Sequence, residues 1–158
     1  MKHTNLCTAA VVLLALAAYA VGASAASSGS DREALEQTGT AIRAAFMAGD
    51  LATAMKYHHP DISKALSYNK VLVGRDAVPA DLRSTLLQYR LDFVENRVES
   101  LLIENDTAVE ETLFTIKATP IARGNPFFFK GRIMVVYVRY NQSRTGWASI
   151  REIIQPAG

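Results

Sequence analysis

The chain has 158 residues, of which 49% are hydrophobic and 20% are charged, so its composition excludes a disordered, collagen-like or coiled-coil protein and fits one ordinary domain. Seventeen Lys and Arg against 15 Asp and Glu give a formal net charge of +2, which gives no strong electrostatic case for binding nucleic acid or an anionic membrane. The single cysteine, Cys7, excludes a disulfide framework and a cysteine-based zinc site.

Residues 1–25 have the pattern of a secretory signal peptide. Lys2 supplies the positive charge, residues 6–21 form an apolar run without a charge, and Ala23-Ser24-Ala25 supplies the small residues of a cleavage site. The apolar run is shorter than the roughly 20 residues of a membrane-spanning helix, which favours cleavage over a stable membrane anchor. We therefore expect a bacterial protein that is cleaved after about Ala25 and is periplasmic or secreted.

Helices are predicted in the first half of the chain, after a flexible leader at residues 26–30. Ser30 and Glu33 have the spacing of a capping box, and apolar residues then follow at three- and four-residue steps as far as Gly49. Asp50 is the predicted N-cap of a short second helix, and Asp76 that of a third helix. The predicted second helix covers residues 51–58, and two short strands cover residues 62–67 and 71–73.

The second half of the chain is predicted to be β-sheet, because long segments rich in β-branched and aromatic residues replace the helical pattern. These segments are residues 93–104, 108–119, 127–140 and 146–154. Helices followed by strands predict an α+β fold in which three N-terminal helices pack on a strongly curved antiparallel sheet, with residues 31–156 forming a single domain. The strand at 127–140 is apolar on both faces, so we expect a homodimer that buries the second face.

Several short motifs in this order resemble the NTF2-like superfamily, in its SnoaL-like, DUF4440-type branch. They are Ala48-Gly49-Asp50-Leu51, Asp61 before a small hairpin, Gly74-Arg75-Asp76-Ala77-Val78, Asn105-Asp106-Thr107-Ala108-Val109 and Gly146-Trp147. The resemblance implies a cone-shaped domain, often dimeric, with a pocket between sheet and helices. It implies no single function, because members include isomerases, dehydratases, hydrolases, carriers and non-catalytic oligomerisation modules.

The catalytic positions of the superfamily's ketosteroid isomerases can be placed on this chain by alignment without gaps. Their tyrosine donor falls at Ile42, their general-base aspartate at Leu66 and their protonated aspartate at Val136. None of these three side chains can donate or accept a proton, which argues against that chemistry here.

His58 and His59 are the candidate catalytic residues, with Asp61 as the group that would orient one of them as a general base. The alternative is a pair of helix-terminal histidines that interact with the helix dipole. Neighbouring residues on a helix point about 100° apart, so the two rings cannot readily share a metal ion. We therefore expect no metal site and no cofactor.

Glu110 and Glu111 are adjacent in a strand, so one must face each side of the sheet. The inward one would be a partly buried acid, paired with an arginine in a ligand site or in an ordinary cross-strand ion pair. The predicted ligand-binding residues lie near the cone and have aromatic or charged side chains, apart from one methionine. They are Phe46, Tyr57, Tyr68, Tyr89, Phe93, Glu110, Phe114, Arg132, Met134, Tyr137, Trp147 and Arg151.

The function predicted from these residues is an exported SnoaL-like domain that binds a small, largely apolar or mildly acidic molecule in its cone. One alternative is an isomerase- or dehydratase-like enzyme that uses His58, His59 and Asp61. The other is a non-catalytic oligomerisation module with a filled pocket. The sequence contains no Gly-rich phosphate loop, no nucleophile elbow and no basic stripe, so nucleotide and nucleic-acid functions have little support.

Overall fold

The computed structural model of the chain describes residues 19–157, with side chains from residue 29 onward. The elements in chain order are α1 (Tyr19–Met47), α2 (Leu51–Met55), β1 (His58–Ser67), β2 (Lys70–Val73), α3 (Ala77–Gln88), β3 (Tyr89–Glu104), β4 (Thr107–Pro120), β5 (Phe127–Arg139) and β6 (Trp147–Pro156). Residues 1–18 of the predicted signal peptide lie outside the described residues.

Helix α1 begins earlier than the sequence predicts. It includes Ser30 and the residues 26–30 that were predicted as a flexible leader. Alanine is the strongest helix former, and the Ala-rich segment before Ser30 continues the helix toward the N-terminus. No helix within residues 19–157 is both long and apolar enough to cross a membrane.

The short second helix ends earlier than predicted. The side chain of Asp50 accepts a hydrogen bond from the Thr53 N–H at 2.9 Å, which confirms the predicted cap. The helix stops at Met55, and His58 and His59 open β1 instead of ending a helix. The reason is sheet pairing: His58 lies opposite Ser149 of β6, whose N–H donates to the carbonyl oxygen of Tyr57 at 2.9 Å. At α3, by contrast, Asp76 forms no side-chain cap.

The six strands form one curved, unclosed sheet in the order β2-β1-β6-β5-β4-β3. Neighbouring strands are antiparallel except β1 and β6, which run parallel, a pairing that the predicted all-antiparallel sheet lacks. The β3–β4 hairpin turns at Asn105, whose φ of +50° is left-handed, as the tight turn requires. The predicted α+β class is confirmed.

The concave face of the sheet carries two buried clusters within the described residues. One contains Leu35, Ala108, Val135, Tyr137 and Trp147. The other is built by α1, α2, α3 and β1 and contains Ala45, Ala54, Met55, Ile62 and Val78. Each cluster includes, or packs against, side chains that also line a cavity. The two clusters therefore border this cavity.

The convex face carries exposed apolar side chains on three strands. They are Leu102 of β3, Met134 of β5 and Ile153 of β6. Exposed apolar surface of this kind is consistent with a partner. The homodimer remains a prediction.

Candidate functional site

A cavity lies between the concave face of the sheet and the helices. Its volume is about 180 Å³, and the empty space is about 1030 Å³ when the open solvent at its mouth is included. Most of its lining is aliphatic or aromatic, from α1, α3 and the strands. The apolar lining residues include Ile42, Phe46, Leu66, Leu72, Leu82, Leu86, Leu91, Phe93, Phe114, Ile116, Phe129, Ile133, Val135 and Ile154.

Four inward positions form one row across the sheet at the inner end of this cavity. Lys64 of β1 lies opposite Glu152 of β6, Glu152 lies opposite Val135 of β5, and Val135 lies opposite Glu110 of β4. All four residues are buried and line the cavity. Since side chains directly opposite one another are neighbours, the register places three charged groups in one buried row.

Lys64 and Glu152 form a buried ion pair in this row. The Lys64 Nζ lies 2.6 Å from the Glu152 Oε2, and the Ser149 hydroxyl donates to the Glu152 Oε1 at 2.9 Å. Burial alone would raise the pKa of Glu152, but the Lys64 ammonium outweighs it and holds that pKa well below its ordinary value. Glu152 is therefore an ionised carboxylate whose charge is balanced inside the protein.

Glu110 has no such partner. Its Oε1 accepts a hydrogen bond from the Thr112 hydroxyl at 3.0 Å, and no ion pair to it exists among the described residues. Burial raises the pKa of Glu110, because the apolar surroundings disfavour its charged form more than the Thr112 hydrogen bond favours it. Glu110 is thus a carboxyl group whose neutral, protonated form is favoured relative to that of an exposed glutamate.

Tyr137 presents the other polar group at this end. It lies on β5 two residues after Val135, so it is a diagonal neighbour of Glu110 across the β4–β5 pair. Burial raises the pKa of its hydroxyl well above the ordinary value of 10, and the negative charges of Glu110 and Glu152 raise it further. Within residues 29–157 the hydroxyl has no hydrogen-bond partner, although it lines the cavity. It is a protonated donor without an acceptor.

The opposite end of the cavity is open. Exposure increases along β5 from the buried Tyr137 to Phe129, which is 37% exposed, and the lining residues of α3 are half-buried. The mouth therefore lies between α3 and the start of β5. A molecule that enters there passes apolar walls first and meets the polar groups last.

The structure places five of the predicted ligand-binding residues in the lining and seven outside it. Those in the lining are Phe46, Phe93, Glu110, Phe114 and Tyr137. Those outside it are Tyr57, Tyr68, Tyr89, Arg132, Met134, Trp147 and Arg151.

The alternation of β5 explains two of these differences, because only its odd-numbered side chains from 129 to 137 face inward. Arg132 points outward and forms an ion pair with Glu99 at 2.8 Å, and Met134 lies on the same face. These two residues were expected in the pocket because the strand is apolar on both faces, which hides its register.

The other five misplaced residues have different local causes. Tyr68 is 99% exposed in the β1–β2 turn, and Tyr89 packs its ring against Phe127 beyond the lining. Trp147 fills a buried cluster instead of the pocket, and Tyr57 is also buried outside the lining. Arg151 points outward and donates to the carbonyl oxygen of Asp61.

The predicted catalytic histidines lie outside the cavity lining. The Nδ1 of His58 is 2.9 Å from the carbonyl oxygen of Ala54, and its Nε2 lies 3.3 Å from Glu152. His59 packs edge-on against Tyr140, with 5.0 Å between the ring centroids, and its Nδ1 is 3.7 Å from the carboxylate of Asp61. The predicted position at the end of the second helix is therefore corrected, because both histidines begin a strand.

The three residues that align with the catalytic positions of ketosteroid isomerases do not all face the cavity. Ile42 and Leu66 line the cavity, whereas Val136 faces the other side of β5. The next residue, Tyr137, points into the cavity and supplies a hydroxyl there. The alignment without gaps is thus one residue out of register with the inward face of β5, and it therefore missed the hydroxyl of Tyr137.

Three charged lining residues were missed by the sequence analysis: Arg43, Lys64 and Glu152. The polar lining residues Asn96 and Thr112 were missed as well. A signal for two of the charged residues was present. Lys64 interrupts the inward series Ile62, Lys64, Leu66, and Glu152 interrupts Ile150, Glu152, Ile154. A charged residue at an apolar position of a strand indicates a buried pair or a site. In the described part of the chain, no group of metal-ligating side chains could hold an ion.

The fold is similar to several solved structures. They include a conserved protein from Planctomyces limnophilus (17% identity, 80% of this chain and 98% of that one, TM-score 0.72). They also include a ketosteroid isomerase-like protein from Erwinia carotovora atroseptica (14% identity, 78% of this chain and 93% of that one, TM-score 0.67). A third is an NTF2-like superfamily protein from Salmonella enterica (14% identity, 84% of this chain and 94% of that one, TM-score 0.67). No protein-family model and no curated protein matches the chain.

The domain therefore has the NTF2-like fold, and that part of the sequence prediction is confirmed. The finer SnoaL-like, DUF4440-type assignment remains a prediction.

Proposed function

We propose that the domain binds a small, largely apolar molecule in this cavity, with one polar end at Tyr137. The observation that carries the proposal is the hydroxyl of Tyr137, a donor without an acceptor in the described residues, at the inner end of an otherwise apolar cavity. A ligand oxygen that accepts from this hydroxyl would form a hydrogen bond with a net value of about 0.5–1.5 kcal/mol.

The charges at the inner end favour a neutral polar group over an anionic one. Glu152 is already balanced by Lys64, and Glu110 is an acid whose charged form is disfavoured although the positive charge of Arg43, which also lines the cavity, favours it. A carboxylate placed here would lie beside Glu110 and raise the cost of its ionisation further. A carbonyl or hydroxyl oxygen avoids this repulsion and can accept from Tyr137. We therefore propose a neutral oxygen-containing ligand instead of the mildly acidic one considered from the sequence.

Replacing Tyr137 with phenylalanine tests this proposal. Tyr137→Phe keeps the ring and removes the donor, so we expect about tenfold weaker binding of the best ligand from a thermal-shift panel of small ketones, alcohols and carboxylic acids. Tyr140→Phe is the matched control, because Tyr140 lies outside the cavity and its hydroxyl bonds Arg75 and Gln142. Equal affinities of the two variants, or a panel in which nothing binds, would refute the proposal.

A second candidate function is proton transfer by Glu110, an acid with a raised pKa that lines the cavity. Solved proteins of similar fold that are described as dehydratase-, aromatic ring hydroxylase- and polyketide cyclase-like make an enzyme a reasonable alternative. His58, His59 and Asp61 are not needed in this version, because Glu110 faces the cavity and they do not.

The neighbouring glutamate provides the control for this second candidate. If a turnover is found, Glu110→Gln is expected to lower it at least about 100-fold, whereas Glu111→Gln, on the other face of the strand, leaves it unchanged. Glu110→Gln should also raise the melting temperature at neutral pH. A carboxyl group whose pKa is raised by folding stabilises the protein only at low pH, and this contribution is lost as the pH rises through the folded pKa. A lower melting temperature for Glu110→Gln would contradict the direction of the pKa shift.

A further inference from the structure

Exposed apolar side chains lie on the two segments of the chain that border the mouth of the cavity. We call residues 82–91, at the end of α3 and the start of β3, and residues 116–131, around the β4–β5 loop, the rim. Leu87 is 73% exposed, Ile121 is 61% exposed and Phe128 is 59% exposed. Large apolar side chains are usually buried in proteins. The concentration of exposed ones at one end of the molecule therefore indicates a contact surface.

The two segments of the rim are joined to each other and to the cavity. The N–H of Ile121 donates to the carbonyl oxygen of Gln88 at 2.9 Å, and the rings of Tyr89 and Phe127 meet edge-on with 5.3 Å between centroids. Leu86, Leu91, Ile116 and Phe129 belong to the same segments and line the cavity. The exposed apolar side chains of the rim and part of the cavity wall therefore belong to the same two segments of the chain.

The rim is also positively charged. Its two segments contain Arg83, Arg90, Lys117, Arg123 and Lys130, and neither segment contains an Asp or Glu. In the described part of the chain, none of these five cations is in an ion pair. Asp92 follows the first segment and lies opposite Lys117 in register, but the two do not pair. The small net charge of the whole chain conceals this local excess of five positive charges.

We propose that the rim binds the surface of an anionic lipid bilayer, with the mouth of the cavity facing the lipid. Exposed Phe, Ile and Leu side chains insert at the boundary between headgroups and acyl chains, and the surrounding Lys and Arg side chains contact anionic headgroups. An apolar molecule could then pass between the bilayer and the cavity without crossing water. That use of the rim depends on the proposed ligand function; binding of the rim to a bilayer does not.

Sedimentation with lipid vesicles tests the proposal. The protein is expected to sediment with vesicles of phosphatidylcholine and phosphatidylglycerol, less with phosphatidylcholine alone, and less as salt is added. Arg123→Gln should weaken binding roughly fivefold, since one cation near the surface is lost. Phe128→Ser should weaken it about tenfold. The controls are Arg144→Gln and Tyr68→Ser, which change an exposed cation and an exposed aromatic residue outside the rim and should leave binding unchanged.

Three results would overturn the proposal. They are no sedimentation with either vesicle type, equal losses in rim and control variants, and a dimer in light scattering without vesicles that Phe128→Ser dissociates. The last result would mean that a second copy of the chain covers the rim. Tyr137→Phe separates this proposal from the ligand function, because it should weaken ligand binding and leave vesicle binding unchanged. A protein that binds ligand but no vesicles refutes the bilayer proposal alone.

Discussion

Replacing Lys64 with methionine is expected to lower the free energy of unfolding by about 3–5 kcal/mol at neutral pH, the usual effect of breaking a buried ion pair. The substitution preserves most of the side-chain volume but leaves the carboxylate of Glu152 buried without its cation. Ser149 and His58 remain beside the carboxylate, at 2.9 and 3.3 Å, but neither lies as close to it as the lost ammonium. Urea unfolding followed by circular dichroism measures the effect.

Lys70→Met is the control for this prediction. Lys70 forms an ion pair with Asp81 at 2.5 Å, but its side chain is half exposed, so this pair should contribute about 0–1 kcal/mol. A second control is the double variant Lys64→Met with Glu152→Leu, which removes both charges and should recover much of the lost stability. If Lys64→Met and Lys70→Met have the same small effect, the buried pair does not stabilise the charge of Glu152 as described.

The pH dependence of this difference follows from the direction of the pKa shift. Folding lowers the pKa of Glu152, so its contribution to stability is fully present above the unfolded value of about 4.3 and is lost as the pH falls below it. In Lys64→Met the carboxyl group takes up a proton more easily, which removes the buried charge. We therefore expect the gap in unfolding free energy between the wild type and the variant to narrow as the solution is acidified. A gap that widens at low pH would contradict the assignment.

Much of the fold could be predicted because local sequence patterns agree with the final structure. The β-branched and aromatic segments became strands, Asn105 made the tight turn, and Asp50 capped α2. The end of α2 could not be predicted in the same way. His58 and His59 continue a helical pattern locally, and the parallel pairing with β6, far away in the chain, makes them a strand. Such long-range pairing is not encoded in a short window of sequence.

The site was predicted less completely than the fold. Aromatic and acidic residues pointed correctly to Phe46, Glu110 and Tyr137 in the lining. Lys64 and Glu152 were missed because they are about 90 residues apart and become neighbours only through the β1–β6 register. The inward face of β5 was also undetermined, since apolar residues on both sides of a strand leave a one-residue register uncertain.

Filling the cavity should abolish ligand binding. Ile133 lines the cavity midway along β5, and Ile133→Trp places an indole where the ligand would lie. We expect a loss of affinity of at least about 100-fold, because an overpacked cavity must expel the ligand or strain the sheet. Met134→Trp is the matched control: it puts the same side chain one residue away on the convex face, outside the lining. A modest loss of stability in Ile133→Trp is expected and can be measured separately by thermal unfolding.

Native mass spectrometry of the protein purified from its natural host tests the central claim of an occupied cavity most directly. The wild type and Met134→Trp are predicted to carry the same additional mass of a small molecule, and Ile133→Trp is predicted to carry none. A wild-type spectrum that shows only the bare chain, or a bound mass that persists in Ile133→Trp, would contradict the assignment of this cavity as a ligand-binding site.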